Sequence, residues 1–437
     1  MRRQCLALCL MLALAACKDG GEENTPDGGP QNDGGLNPGS PFTKLTLDAA
    51  PNEPQPLALA VGPGEVIGVA YFFRIGSTND YDIRYIQISG GQVSQPEKIA
   101  TVQRVYGLSV AFDSNGRPAV AYLGGGSDDS AFWFQSDMAV SFRTGTNQWT
   151  QSIAVTRGDQ ATAGNPVSDR GFVVGLNPAI VFNGTQAIVA YRDGHDGQFP
   201  QQDWAGSDLE VALGDTGGWT VNMVAAGGNN KQAYGGHISM VMGANNQPAL
   251  VHDQMFGSAD GSSLNVLFQR RNSNGTWTLP LQVQSVGNTQ RGASLAYDSV
   301  LGYGIAVVER SDNELTFVEC RGNTGTQCSV AGDWTTPDPV YQAGTGGWYP
   351  SLAIDPKTHD PSIAFYVCSS TSGASEGNCN PNDDELRVST RIEGNWRELL
   401  VDAEGGITPK MAYLSTGQRV IAYRAPSNGI LKLAVEQ

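Results

Sequence analysis

The chain has 437 residues, 40% of them hydrophobic, with 43 acidic against 27 basic side chains and a net charge of −16. That length supports a large core, and so acidic a surface repels polyanions, which excludes nucleic acid as the expected partner. HExxH, P-loop and CxxC signatures are absent, and the four histidines, His195, His237, His252 and His359, lie in different parts of the chain.

Met1-Arg2-Arg3 and the mostly apolar run from Cys5 to Ala16 read as the charged start and short apolar stretch of a secretory leader. The run falls short of the roughly 20 apolar residues that a membrane-spanning helix needs. Leu14-Ala15-Ala16-Cys17 resembles the bacterial lipobox, which implies removal of residues 1–16 and lipidation of Cys17, hence a membrane partner through a lipid anchor. Residues 18–40 hold no aromatic side chain and are dominated by Gly, Asp, Asn, Pro and Glu, so they bury no core. As a flexible coil they would reach about 25 Å. Leader, cysteine and linker resemble those of surface lipoproteins of myxobacteria and their relatives, which implies an exported, envelope-anchored protein. Lys18 is not the Asp that signals inner-membrane retention in enteric bacteria, so the outer membrane or cell surface is the expected address.

From residue 41 to 437 one pattern recurs: a short apolar strand, a turn rich in Gly, Asn or Asp, and a second strand ending in Ala plus an aromatic. The copies end at Tyr71, Tyr122, Tyr191, His252, Val307, Phe365 and Tyr423, 51 to 69 residues apart. Between copies lies a second pair of strand signals, and Trp149, Trp219, Trp277, Trp334 and Trp396 recur just before the fourth strand. No helical period of comparable length appears. Seven repeats of four strands predict an all-β, seven-bladed β-propeller of antiparallel blades. The seventh repeat has only three strands before the chain ends, and FTKLTLD, residues 42–48, is the expected fourth, closing the ring from the N-terminal side.

The face opposite the tight hairpin turns gathers long segments at 124–137, 156–172, 192–208 and 368–385, where binding residues are expected. Three signals fall there. Arg74, Arg192, Arg310 and Arg424 follow second strands, while Arg104, Arg170 and Arg291 precede first strands. Converging guanidinium groups would clamp a carboxylate, sulfate or phosphate; the alternative is that each pairs with a neighbouring acid such as Asp193 or Glu309. Asp193, His195, Asp196, Asp203 and Asp208, joined by Trp204, would offer oxygen ligands to Ca²⁺, and a solvated acidic loop is the competing reading. Trp133, Phe199, Trp204, Trp348 and Tyr349 are read as exposed aromatics suited to stacking on sugars, or as packing for the long loops.

Of seven cysteines, Cys5 and Cys9 leave with the leader and Cys17 takes lipid, so Cys320, Cys328, Cys368 and Cys379 remain. In an oxidising compartment the sequence-local pairs Cys320–Cys328 and Cys368–Cys379 are the simplest of three connectivities.

The four-stranded repeats with a Gly-containing turn before Trp resemble the sialidase-like, or Asp-box, propellers over most of residues 41–437. The nearest approach to the box is Asn272-Ser273-Asn274-Gly275-Thr276-Trp277, one residue short, and no positions match that family's catalytic Tyr–Glu pair. The resemblance implies the fold. The expected function is a monomeric, non-enzymatic envelope propeller binding a glycan, an envelope polymer or a protein partner. One alternative is a glycosidase- or lyase-like enzyme acting on an anionic carbohydrate through Arg192, Arg424 and Asp193, and another is a structural envelope scaffold.

Overall fold

The computed structural model describes residues 40–49, 56–78, 80–103, 105–124, 136–158, 170–194, 206–227, 232–256, 263–285, 292–309, 314–320, 328–343, 345–369, 384–426 and 428–437. Seven antiparallel sheets stand in a ring, each with four strands in simple up-and-down order, and the sheet of blade 1 carries one further two-residue strand. The inner strands are Leu57–Gly62, Leu108–Phe112, Val173–Asn183, Gln232–Met242, Ala293–Asp298, Thr345–Ile354 and Ile407–Tyr413, in blades 1 to 7. Each contacts the next, and the last contacts the first. Helix among the described residues is limited to two 3-10 turns, and none is long and apolar enough to cross a membrane.

Ring closure follows the sequence expectation. Blade 7 consists of Ile407–Tyr413, Arg419–Arg424, Leu431–Glu436 and, outermost, the N-terminal strand Phe42–Asp48. The outer pair runs antiparallel from Phe42 opposite Glu436 to Asp48 opposite Leu431. Ladder hydrogen bonds therefore consume two sheet edges that would otherwise lie open.

There is no single core. Each of the seven seams between neighbouring blades holds its own cluster of buried apolar residues, as Val120, Ile83 and Phe72 do between blades 1 and 2 or Phe268, Tyr303 and Ile305 do between blades 4 and 5. Sheets covered on both faces need apolar residues on both, which is why the second strands read as continuous runs such as Pro118–Gly124, buried throughout.

The repeated tryptophans are rivets across the outer part of these seams. Trp149 sits edge-on to Tyr85 of the preceding blade at 5.3 Å, Trp334 to Phe268 at 5.0 Å and Trp396 to Phe317 at 5.4 Å. Three indole N–H groups donate backwards to the preceding blade's fourth strand: Trp149 to Glu97, Trp219 to Ser152 and Trp396 to Asp338. Tyrosines near second-strand ends add hydrogen bonds, across the seam from blades 1 and 7 and within the blade in blade 3. Tyr71 donates to Asp48, Tyr423 to Asp402, and Tyr191 to Glu210. Cys320 and Cys328 form the expected disulfide, with Cα atoms 5.7 Å apart. Cys368 is also disulfide-bonded, and Cys379 lies outside the described residues.

Candidate functional site at the channel mouth

Aligning the inner strands by their partners on the second strands brings seven residues to one level: Ala58, Ser109, Ala179, Ser239, Ser294, Ser351 and Lys410. Six are small, as the crowded axis of a ring requires. The four serines fasten the ring, because each hydroxyl accepts the backbone N–H one level on in the following blade: Ser109 from Ile180, Ser239 from Leu295, Ser294 from Leu352, and Ser351 from Met411, at 2.9 to 3.1 Å.

Two residues before this level the backbone departs from ideal strand geometry. Gly107, Asn177, His237, Gly292, Tyr349 and Thr408 all have positive φ, between 45° and 98°, and Pro56 holds the seventh place. In blades 3, 4, 6 and 7 a register shift in the inner ladder falls at the same point. A bulge of this kind turns one side chain out of the alternating pattern, and a non-glycine residue held at positive φ costs about 1 kcal/mol or more. Four blades carry that strain at one ring level. Its result is that Asn177, His237, Tyr349 and Thr408 all line the cavity at the mouth of the central channel.

The cavity measures about 670 Å³, the size of small-ligand sites in general. Its charged and titratable lining consists of Arg192, His237 and Lys410 together with Tyr106 and Tyr349, and no Asp or Glu is among the described lining residues. That is a local reversal in a chain of net charge −16.

Each of the three nitrogen-bearing groups is differently held. Arg192 ends the second strand of blade 3 and is 2% exposed. The Cβ that Gly235 lacks would stand 3.0 Å from that of Arg192, so glycine in blade 4 leaves the arginine its place. His237 Nδ1 lies 2.8 Å from the carboxylate of Asp253, which is wholly buried, while the His237 side chain is 38% exposed. A buried carboxylate on one ring nitrogen sets both tautomer and ring orientation. A Cβ on Gly292 would fall 2.9 Å from that of His237. Lys410 is accessible to the water of the channel and has no hydrogen-bond or ion-pair partner among the described residues. Enclosure by the seven inner strands holds its amine below the usual lysine pKa.

Neighbouring His252 is a different case. It is buried, its Nε2 pairs with Gln269 at 3.0 Å, and burial pushes its pKa down to about 4, so it stays neutral as a packing residue.

No protein-family model and no curated protein matches this chain. Solved structures do. An ulvan lyase of a polysaccharide lyase family, bound to a GlcA(1-4)Rha3S repeat, is 13% identical with a TM-score of 0.56, over 89% of this chain and 95% of that one. An α-L-arabinanase of Penicillium chrysogenum complexed with arabinobiose shows 11% identity and a TM-score of 0.49, over 90% and 97%. A sialidase of Streptococcus pneumoniae shows 10% and 0.46, over 91% and 70%. The fold is a seven-bladed β-propeller.

In this propeller the residues expected from sequence are dispersed. Of the described candidate arginines, only Arg192 lines the cavity. Arg424 is 3% exposed and donates to the carbonyls of Gly429 and Phe72, beside the Tyr71 ring; burial pushes its pKa down to about 10. It ties blade 7 to blade 1. Arg74 donates to Thr78 O within its own turn, and Arg170 precedes Gly171, whose N–H is taken by Asp193. Arg104, Arg291 and Arg310 lie outside the described residues.

Asp193 is 1% exposed and Asp208 likewise, and each accepts a backbone N–H, from Gly171 and Gly227 respectively. Asp137, which opens the third strand of blade 2 as Asp208 opens that of blade 3, accepts the N–H of Arg157 in the same way. Both acids thus fasten the chain leaving a blade. No group of three or more His, Cys, Asp or Glu side chains among the described residues is placed to hold a metal ion. His195, Asp196, Asp203 and Trp204 lie outside them, as do Trp133, Phe199 and Cys17. Trp348 is 2% exposed and packs against Tyr366, which corrects its reading as an exposed aromatic. The positive φ of Tyr349 directs the two neighbours differently, and only Tyr349 lines the cavity.

His237, Lys410, Asn177 and Thr408 are absent from the sequence-derived candidates. Stacking the seven copies shows one of them directly, because PKMAY carries lysine where the other copies carry serine or alanine.

Proposed function

We propose that the channel mouth takes an anionic carbohydrate, and that the protein is a carbohydrate-active propeller with lyase-type chemistry. The observation that carries this reading is the lining itself: Arg192, His237 and Lys410 line one cavity with no Asp or Glu among its described lining residues, in an otherwise acidic protein, and Asp253 lies behind His237. A cavity of one sign with low-dielectric walls concentrates ligands of the other sign. Hydrolysis of a glycosidic bond ordinarily calls on a pair of carboxyl groups flanking it. Elimination from a uronate asks for other things: cations to neutralise the sugar carboxylate, a base for the proton on the adjacent carbon, and a proton, returned by the imidazolium or by water, for the glycosidic oxygen whose bond to the next carbon breaks as the double bond forms.

The described groups suit that chemistry. Arg192 supplies positive charge at the mouth, and Lys410 adds a second positive charge deeper in the channel. In the tautomer that donates Nδ1–H to Asp253, His237 has its basic nitrogen at Nε2, and Asp253 stabilises the imidazolium formed when a proton is accepted. The ulvan lyase of similar fold was solved with a uronate-containing ligand, which is consistent with this reading and adds only the scaffold to it. The exported, lipid-anchored address at Cys17 belongs to the same proposal and would put the mouth within reach of envelope or environmental polysaccharide.

The test is a panel of uronate-bearing, sulfated and neutral polysaccharides, assayed both for binding and for release of unsaturated uronate ends. Asp253→Asn and His237→Gln are expected to abolish release while leaving binding of the anionic polymer within a few-fold of normal. Binding of acidic polymers with no release from any of them would leave a binding protein, as Asn177, Thr408 and Tyr349 at the mouth also allow. Exclusive binding of neutral polymers would refute the anionic reading.

A further inference from the structure

The lysine in the ring of small residues stands out on geometry alone. Four of the seven places hold serines that latch the next blade, and two hold alanine. A long charged side chain at this level adds bulk inside the ring, forgoes the latch from blade 7 to blade 1, and gains no partner among the described residues. Folding alone supplies no reason for it.

Its depth matters. Lys410 lies two residues beyond Thr408 along the inner strand, which at strand spacing is roughly 7 Å further down the channel than the mouth residues. Around it stand Leu57, Leu59, Val110, Met240 and the serine hydroxyls, all part of the cavity lining or of the latches already described. The walls are a closed ring, so nothing approaches the amine from the side.

We infer that Lys410 is the floor of a separate anion subsite, taking one carboxylate or sulfate group that a sugar carries down the channel on a chain end or a pendant substituent. The subsite deepens the proposed function and rests on it for the carbohydrate, while the anion requirement is the lysine's own. An ammonium with no partner is stabilised by one anion, and a charge-assisted hydrogen bond contributes about 1.5 to 3 kcal/mol, the lower end applying where channel water reaches it. Its amine has a depressed pKa in the empty channel. Binding of an anion raises that pKa again, so the site takes up protons as it fills, and affinity falls as pH rises through the range where the empty amine loses its charge.

The full chain is titrated calorimetrically with D-glucuronate, D-glucose 6-sulfate and D-glucose. Lys410→Ser installs the residue that four other blades carry, and an unchanged or raised unfolding midpoint confirms that it folds. Affinity for the acidic sugars is expected to fall roughly ten- to a hundredfold in Lys410→Ser and to recover in part in Lys410→Arg, with glucose indifferent to both. Which acidic sugar responds identifies carboxylate or sulfate as the group read. Wild-type affinity in Lys410→Ser for both acidic sugars overturns the subsite and leaves the mouth reading standing, whereas absence of any acid-sugar binding by the native chain overturns both. Affinity that is flat with pH across the alkaline range also counts against the subsite.

Discussion

Replacing Asp402 by asparagine tests how the ring is held shut. Asp402 ends the fourth strand of blade 6 with its side chain wholly buried, and all of its charged partners belong to blade 7. Lys44 of the N-terminal strand lies 2.9 Å from one oxygen; the Tyr423 hydroxyl donates to the other at 2.6 Å, with Lys432 at 3.5 Å. Burial pushes the Asp402 carboxyl up, and Tyr423, Lys44 and Lys432 together outweigh it, leaving the pKa below the ordinary carboxylate value. Breaking a fully buried pair costs about 3 to 5 kcal/mol. Here the lysine side chains are 26% and 15% exposed and regain some water, and an asparagine oxygen still accepts from Tyr423. The loss is therefore expected at about 2 kcal/mol near neutral pH.

A group whose folded pKa is depressed contributes stability above its unfolded pKa and loses it as pH falls through the folded value. The gap between native chain and Asp402→Asn should then narrow in acid. Urea unfolding followed by tryptophan fluorescence at pH 7 and pH 3 reads both numbers. A variant as stable as the native chain at pH 7, or a gap that stays constant into acid, would refute this account of closure.

Deleting residues 42–48 removes the partner of Leu431–Glu436 together with Asp48, which holds Tyr71 and Arg84 of blade 1; loss of cooperative unfolding is expected, and a single sharp calorimetric transition at the native temperature would speak against it. Substituting alanine for both Cys320 and Cys328 opens a loop of sequence separation 8, for which chain entropy predicts a loss of about 2 to 3 kcal/mol, measured by denaturant titration with and without reductant. Trp149→Phe keeps the edge contact with Tyr85 and leaves Glu97 without its indole donor, for a loss of about 1 kcal/mol in thermal unfolding. His252 resists protonation until about pH 4 in the fold, against about 6.5 when unfolded. The native chain should accordingly lose up to about 3 kcal/mol between those pH values, and His252→Tyr, the residue that four other blades carry, should flatten that part of the profile.

The repeat was legible because it is written in local chemistry. An apolar strand, a tight turn and a second apolar strand recur seven times, five of them ending in Tyr or Phe, and Trp before a fourth strand recurs in five, so the strand pattern counts the blades. The closing strand was legible for the same reason: Leu45-Thr46-Leu47-Asp48 repeats the pattern of Leu399-Leu400-Val401-Asp402 in a true fourth strand. The site was not legible in that way. Arginines adjacent to strand ends were natural candidates, yet Arg424 and Arg74 are occupied by carbonyls close to them. Asp193 and Asp208 looked like ligands and serve as anchors for backbone N–H groups. An acid two residues from a loop looks the same in sequence whether it faces solvent or a buried amide.

By itself, the sequence determined the class of fold, the number of blades and the strand that closes them, because each depends on a pattern repeated along the chain; it made Cys320–Cys328 the simplest pairing, and the structure decided it. The tertiary structure alone decided which residues share the channel. Asn177, His237, Tyr349, Thr408 and Lys410 come from four blades and stand 60, 112, 59 and 2 positions apart along the chain, and no local rule relates the four blades' contributions. They meet because bulges at one ring level turn side chains toward the axis, and only closure of the ring gives them an axis to face.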